Sequence, residues 1–90
     1  MGYDDDELNY IYDKSDGHCR YCGKKLAWKN YGVAGEKGAW EVDHGIPFSR
    51  GGTNYFRNLW AICTKCNREK SDMTPWEYKS YLRGAYGWNV

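Results

Sequence analysis

Two cysteine pairs carry the clearest chemistry in this chain: Cys19 with Cys22, and Cys63 with Cys66. Each is a Cys-x-x-Cys step, and a tight turn of that spacing presents two sulfurs to one ion. Four thiolates suit tetrahedral zinc, and a closed sulfur shell leaves no open position for a substrate. The expected role is structural: the ion joins residues 19–22 to residues 63–66 and closes the forty-residue stretch between them. Disulfides, unligated thiols, redox pairs and an iron–sulfur cluster are the competing chemistries. No secretory pattern opens the chain, which favours a reducing compartment, and nothing else points to electron transfer.

A second constellation is Trp40-Glu41-Val42-Asp43-His44, a short strand that ends in a carboxylate and an imidazole. Neighbours in a strand point to opposite faces, so Asp43 and His44 share a site only where the strand ends or twists. Gly45-Ile46-Pro47 supplies that end, because glycine frees the backbone and proline holds Ile46 extended. The pair can serve as metal ligand and base. Taken alone, it can equally be a turn aspartate beside a solvated histidine.

The elements that must position these groups follow from pattern. Residues 4–14 read as a helix, with Asp4 as cap, Glu7 completing a capping box, and Leu8, Ile11 and Tyr12 on one face. Leu26-Ala27-Trp28 reads as a short strand, and the glycine-rich residues 30–38 as a loop or hairpin turn. Residues 39–43 and 59–62 read as strands, joined by a long loop over 45–58. The second strand runs into Cys63-Thr64-Lys65-Cys66-Asn67-Arg68-Glu69-Lys70, a knuckle that becomes a helix. Thr74-Pro75-Trp76-Glu77 starts a last helix over 75–83, with Gly84 as its stop. Trp28, Trp40, Trp60 and Trp76 are assigned to the core, since so small a chain needs their area.

The order of these pieces matters. Cys-x-x-Cys, Val42-Asp43-His44, Ser49-Arg50-Gly51-Gly52-Thr53-Asn54, Asn58-Leu59 and Cys-x-x-Cys-Asn-Arg-Glu-Lys follow one another over residues 19–70. This arrangement resembles the zinc-knuckle form of the HNH endonuclease family. The resemblance implies an α+β chain with the small ββα-metal (His-Me finger) fold, a structural four-cysteine zinc site, and flanking N- and C-terminal helices. It implies His44 as the general base for an attacking water; imidazole is the side chain that changes charge nearest neutral pH. It implies Asp43 as ligand of a catalytic cation, Asn58 as the residue that steadies the loop and the histidine, and Asn67 at the third motif position. The family often has histidine there, whereas the related nuclease domain of RNA-guided CRISPR effectors has a metal-binding asparagine. Asp and Asn oxygens are hard ligands, so Mg²⁺ or Mn²⁺ is the expected catalytic ion. The alternative for Asn67 is a plain helix cap. Arg50, Arg57, Arg68 and Lys70 are the expected phosphate contacts, each weighed against an ordinary solvated charge. Tyr55 and Phe56, in the loop, are candidates for groove contact.

Composition sets the frame. Ninety residues make one domain over 1–90, too small for a generous apolar core, so a metal is a natural staple. Residues 1–16 hold six acids against one lysine, and residues 17–90 hold twelve basic residues against six acids. A basic body with an acidic head fits a phosphate-rich partner such as DNA. No apolar run has membrane length, which excludes a spanning helix. The resemblance and the missing signal imply a cytoplasmic bacterial or phage protein. A homodimer or a larger phage or defence assembly is left open. The expected function is metal-dependent hydrolysis of DNA phosphodiester bonds, by nicking or double-strand cleavage. A non-catalytic, zinc-stabilised nucleic-acid-binding module is the alternative, with a zinc-stabilised protein-interaction domain behind it.

Overall fold

The structure is a computed structural model and describes residues 2–90. In chain order it contains α1 (Asp5–Asp13), β1 (Trp40–His44), β2 (Leu59–Cys63), α2 (Thr64–Lys70) and α3 (Pro75–Tyr86). Short 3-10 turns occur at Trp28–Asn30, Phe48–Arg50 and Phe56–Asn58. Helix α1 starts as its sequence requires. The Asp4 side chain accepts the Glu7 N–H at 2.8 Å, and the Glu7 carboxylate accepts the Asp4 N–H at 2.9 Å. Two amides that the helix itself cannot satisfy are thereby paired. Leu8 and Ile11 turn inward and are buried.

Strands β1 and β2 form an antiparallel ribbon with Trp40 opposite Cys63 and His44 opposite Leu59. Trp40, Leu59, Ala61 and Ile62 are buried in the core with Leu8, Ile11, Leu26, Tyr78 and Leu82. Helix α1 packs on β2, and α2 packs on both strands. No linker separates β2 from α2. Cys63 ends the strand and caps the helix, its Sγ accepting the Cys66 N–H at 3.4 Å. Thr74 and Glu77 form a second capping box, with Pro75 at the first position of α3.

Three sequence expectations are corrected here. Helix α3 does not stop at Gly84: it continues to Tyr86, and Gly87 at φ 70° provides the left-handed cap. The Tyr86 hydroxyl donates to the Glu69 carboxylate, a contact that fastens this last turn to α2. Leu26-Ala27-Trp28 is not a strand. Lys25 makes one isolated bridge to His18, and the chain then enters a 3-10 turn. Gly38 at φ 73° lies so close to this turn that a Cβ would stand 2.6 Å from the Ala27 nitrogen. Trp76 is 61% exposed, because it lies on the outer side of α3 while Tyr78 and Leu82 fill the core. Among the described residues, no helix is long and apolar enough to cross a membrane.

Candidate active site

The four cysteines meet. Their Sγ atoms all lie within 4.8 Å of one another, and those of Cys22 and Cys63 are 3.7 Å apart. A tetrahedral zinc ion with bonds of about 2.3 Å requires sulfurs about 3.8 Å apart, so the cluster fits that ion. Each pair has its own local device. In the first knuckle, the Cys19 N–H bonds the Lys24 carbonyl at 2.8 Å and the Gly23 N–H bonds the Cys19 carbonyl at 2.9 Å. Gly23 adopts φ 75°, where a side chain would strain the turn. The second knuckle is the β2–α2 junction itself. The close packing of the sulfurs couples their ionisation, with Cys19 the member held lowest by its bonds to Cys22 and the other thiols.

Asp43 and His44 leave opposite faces of the ribbon, as the register of Asp43 with Trp60 and His44 with Leu59 requires. Asp43 points toward α2 and is buried. Burial raises its carboxyl to about 6, against the downward pull of Lys70. The Lys70 ammonium lies 3.2 Å from Oδ1 and 3.1 Å from Oδ2 of Asp43. Only the Oδ1 contact has hydrogen-bond geometry, and Oδ2 has no hydrogen-bond partner. Lys70 also donates to the His44 carbonyl at 3.1 Å. Its side chain is 0% exposed, which corrects the expectation that Lys70 is a surface phosphate contact. The last turn of α2 runs beneath β1, and a buried carboxylate there requires a counter-charge.

The His44 imidazole occupies the other side. Its Nε2 is 2.7 Å from Asn54 Oδ1, and its ring stacks on Phe48 with centroids 5.2 Å apart. An amide oxygen only accepts, so in this arrangement Nε2 is the donor, and in the neutral ring Nδ1 holds the lone pair. Asn58 shapes the loop from which this arrangement hangs. It accepts the Ile46 N–H at 2.8 Å and donates to the carbonyls of Ile46 at 3.0 Å and Thr53 at 2.9 Å. Gly52 lies where a Cβ would be 1.6 Å from the Ile46 oxygen, so the returning loop admits no side chain there.

Asn67 is the fourth residue of α2, half-buried, and three residues before Lys70 on one flank of the helix. It is not a helix cap, since Cys63 takes that position. The arginines are dispersed. Arg50 forms a two-pronged pair with Glu77, at 2.5 and 3.2 Å. Arg57 lies over the Tyr55 ring, 4.9 Å from its centroid. Arg68 borders a separate hollow with Lys24 and Lys65, and none of that hollow's lining residues borders His44.

Asp43 with its unbonded Oδ2, and Asn67 with its amide oxygen, are donors of the type that a hard divalent cation takes. Such a cation would share the Asp43 charge with Lys70. Four contributors were missed in the sequence: Asn54, Phe48, Lys70 as a buried partner, and Lys14. Lys14 donates to the carbonyls of Phe56 and Leu59 at 2.5 and 2.6 Å and lies 3.8 Å from the Trp60 ring centroid. Lys14 and Lys70 act across long sequence separations, whereas Phe48 and Asn54 reach His44 from within the following loop; Asn54 and Lys70 both lie inside the motif, but their partners do not show in the sequence. Compared with known families, residues 19–73, well over half of the chain, match the family model described as HNH endonuclease.

Proposed function

The chain belongs to the HNH endonuclease family, and on that premise we propose that it hydrolyses phosphodiester bonds of DNA with His44 as general base. The observation that carries this reading is the His44–Asn54 hydrogen bond, which occupies Nε2 and leaves Nδ1 to act as the base in a residue that lines an open hollow. A water bonded to Nδ1 gives up its proton there as its oxygen attacks phosphorus. The bond to the departing 3′ oxygen breaks, and solvent protonates that oxygen. Asn54 orients the ring through Nε2, and Phe48 restrains it by stacking. Asn58 holds the loop that carries both.

Asp43 and Asn67 are the residues that would hold a hard divalent ion, Mg²⁺ or Mn²⁺. When bound, such an ion supplies positive charge to the phosphate oxygens and to the leaving oxygen. Lys70 holds the Asp43 carboxylate in place and ties it to the His44 backbone. Arg57 is the exposed cation best situated for the phosphate backbone, because its neighbours Tyr55 and Phe56 border the same hollow as His44.

A supercoiled-plasmid assay tests this. Wild type should nick or linearise DNA in Mg²⁺ or Mn²⁺ and not in chelator. His44→Ala should abolish cleavage while zinc content and the circular dichroism spectrum persist. Equal cleavage by His44→Ala would refute the mechanism. The Asp43–Lys70 pair favours one rival, a zinc-stabilised module that binds nucleic acid without cutting, because it already neutralises the buried Asp43 carboxylate. Binding without cleavage in every divalent metal would establish that rival.

A further inference from the structure

The hollow beside His44 is walled by aromatic rings. Its volume is about 540 Å³, and Tyr3, Phe48, Tyr55 and Phe56 line it together with His44 and Asn54. Phe48 and Tyr55 are each 63% exposed, an unusual cost for two large apolar groups only seven residues apart. Tyr10, 54% exposed, extends the surface by leaning on Phe56 with centroids 4.8 Å apart. Rings such as Tyr21, Trp40 and Tyr78 are buried in the core. Trp76, Tyr81, Tyr86 and Trp88 are exposed elsewhere; the rings near His44 differ in lining one hollow together.

The occupant must present flat faces to these rings; Arg57 does not line the hollow but lies over the ring of Tyr55, which does, and the Glu7 carboxylate also borders the hollow. A nucleotide suits this surface: its base stacks, and its phosphate meets the exposed guanidinium that already lies over the Tyr55 ring. The volume falls within the range of about 300–1,000 Å³ that small-ligand pockets occupy. A base inside a duplex has both faces covered by its neighbours, so only a base that has left the stack can enter.

We propose that this hollow holds one unstacked DNA base next to the bond that is cut. The substrate class is then DNA with an unpaired or displaced nucleotide, such as a bulge, flap or single strand, and not uniform duplex. This rests on the reading of His44 as the centre of a DNA-cleaving site. The base anchors the strand by its face. Stacking tolerates any base, so the selectivity is for local structure and not for sequence.

The test is fluorescence anisotropy of zinc-loaded chain in Ca²⁺ buffer with two labelled duplexes of the same sequence, one fully paired and one with a single bulged base. The bulged duplex should bind about 5- to 150-fold more tightly. Phe48→Ala and Tyr55→Ala, both at exposed rings, should bring its affinity down toward the paired value with zinc content unchanged. Trp76→Ala, at an exposed ring that does not line the hollow, should keep the preference. Equal affinity for the two duplexes, or a preference that survives both aromatic truncations, overturns the proposal. So does sedimentation that shows a dimer lost in those variants with DNA preference unchanged, since the face would then join two copies of the chain. If plasmid cleavage depends on His44 but no preference exists, only the base hollow falls. If the preference exists and no DNA is cleaved, only the catalytic reading falls.

Discussion

Lys70 places its ammonium 3.1 Å from the Asp43 carboxylate and 3.1 Å from the His44 carbonyl, so one buried cation joins the end of α2 to the end of β1. Removing it leaves a buried carboxylate without its partner. Lys70→Met should cost about 3–5 kcal/mol, the range for breaking one side of a buried pair. Asp43→Asn combined with Lys70→Met should recover part of that loss. Urea unfolding of the zinc-loaded proteins measures both. A Lys70→Met protein as stable as wild type would show that the pair does not hold the site together.

Asn58 makes three hydrogen bonds within the loop that leads away from His44. Asn58→Ala should destabilise by about 2 kcal/mol, allowing roughly 1 kcal/mol for each of the more consequential bonds. It should lower cleavage by more than that stability loss explains, because the loop carrying Asn54 and Phe48 loosens. Asn58→Asp keeps the acceptor for the Ile46 N–H and loses both donors, so it should fall between wild type and Asn58→Ala. Amide exchange at Ile46, whose N–H donates to Asn58, followed beside activity, checks the order.

Zinc removal should unfold the chain. The two knuckles are the points at which residues distant in sequence are pinned together, and structural zinc contributes on the order of 10–16 kcal/mol in small domains. Chelation should abolish the near-ultraviolet signal of Trp40 and its neighbours, and zinc should restore it. Cys66→Ser should show the same loss at a lower chelator concentration. A native spectrum after verified metal removal would contradict this.

Arg50, first among its causes, holds the Glu77 carboxyl down to about 2, and the Thr74 backbone adds to the effect. The ordinary value is 4.5. A carboxyl held low in the folded state stabilises at every pH above its unfolded value. That contribution fades as pH falls from 4.5 toward about 2. In wild type the Glu77 carboxyl carbon should keep its ionised chemical shift down to the pH at which zinc leaves. In Arg50→Ala it should begin to titrate before that point. Coincident titration of the two would show that the pair is absent in solution.

The sequence made the frame legible because its signals are local. Asp4 with Glu7 and Thr74 with Glu77 mark helix starts within four residues, and both boxes form. The cysteine spacing indicated the cluster because chemistry restricts which ion takes four sulfurs. What stayed hidden depends on tertiary placement. Lys70 reads as a surface charge until α2 is seen to run under β1 and meet Asp43. Asn54 reads as a turn former until the loop folds back on His44. Gly84 reads as a stop, yet Gly87 takes the left-handed turn once Tyr86 is fastened to Glu69.

Cys63 is at once the last residue of β2, the cap of α2 and a member of the sulfur cluster. The junction therefore works as a keyed shaft. An α-helix turns about 100° per residue, so inserting one residue after Cys66 would rotate Asn67 and Lys70 by that angle away from β1. The stretch from Leu59 to Lys70 is the part of the chain in which length itself is fixed. The loop after β1 is pinned by Asn58 and Gly52, so a grafted or shortened segment belongs at residues 33–36, before β1, where the knuckles, the ribbon and α2 keep their alignment.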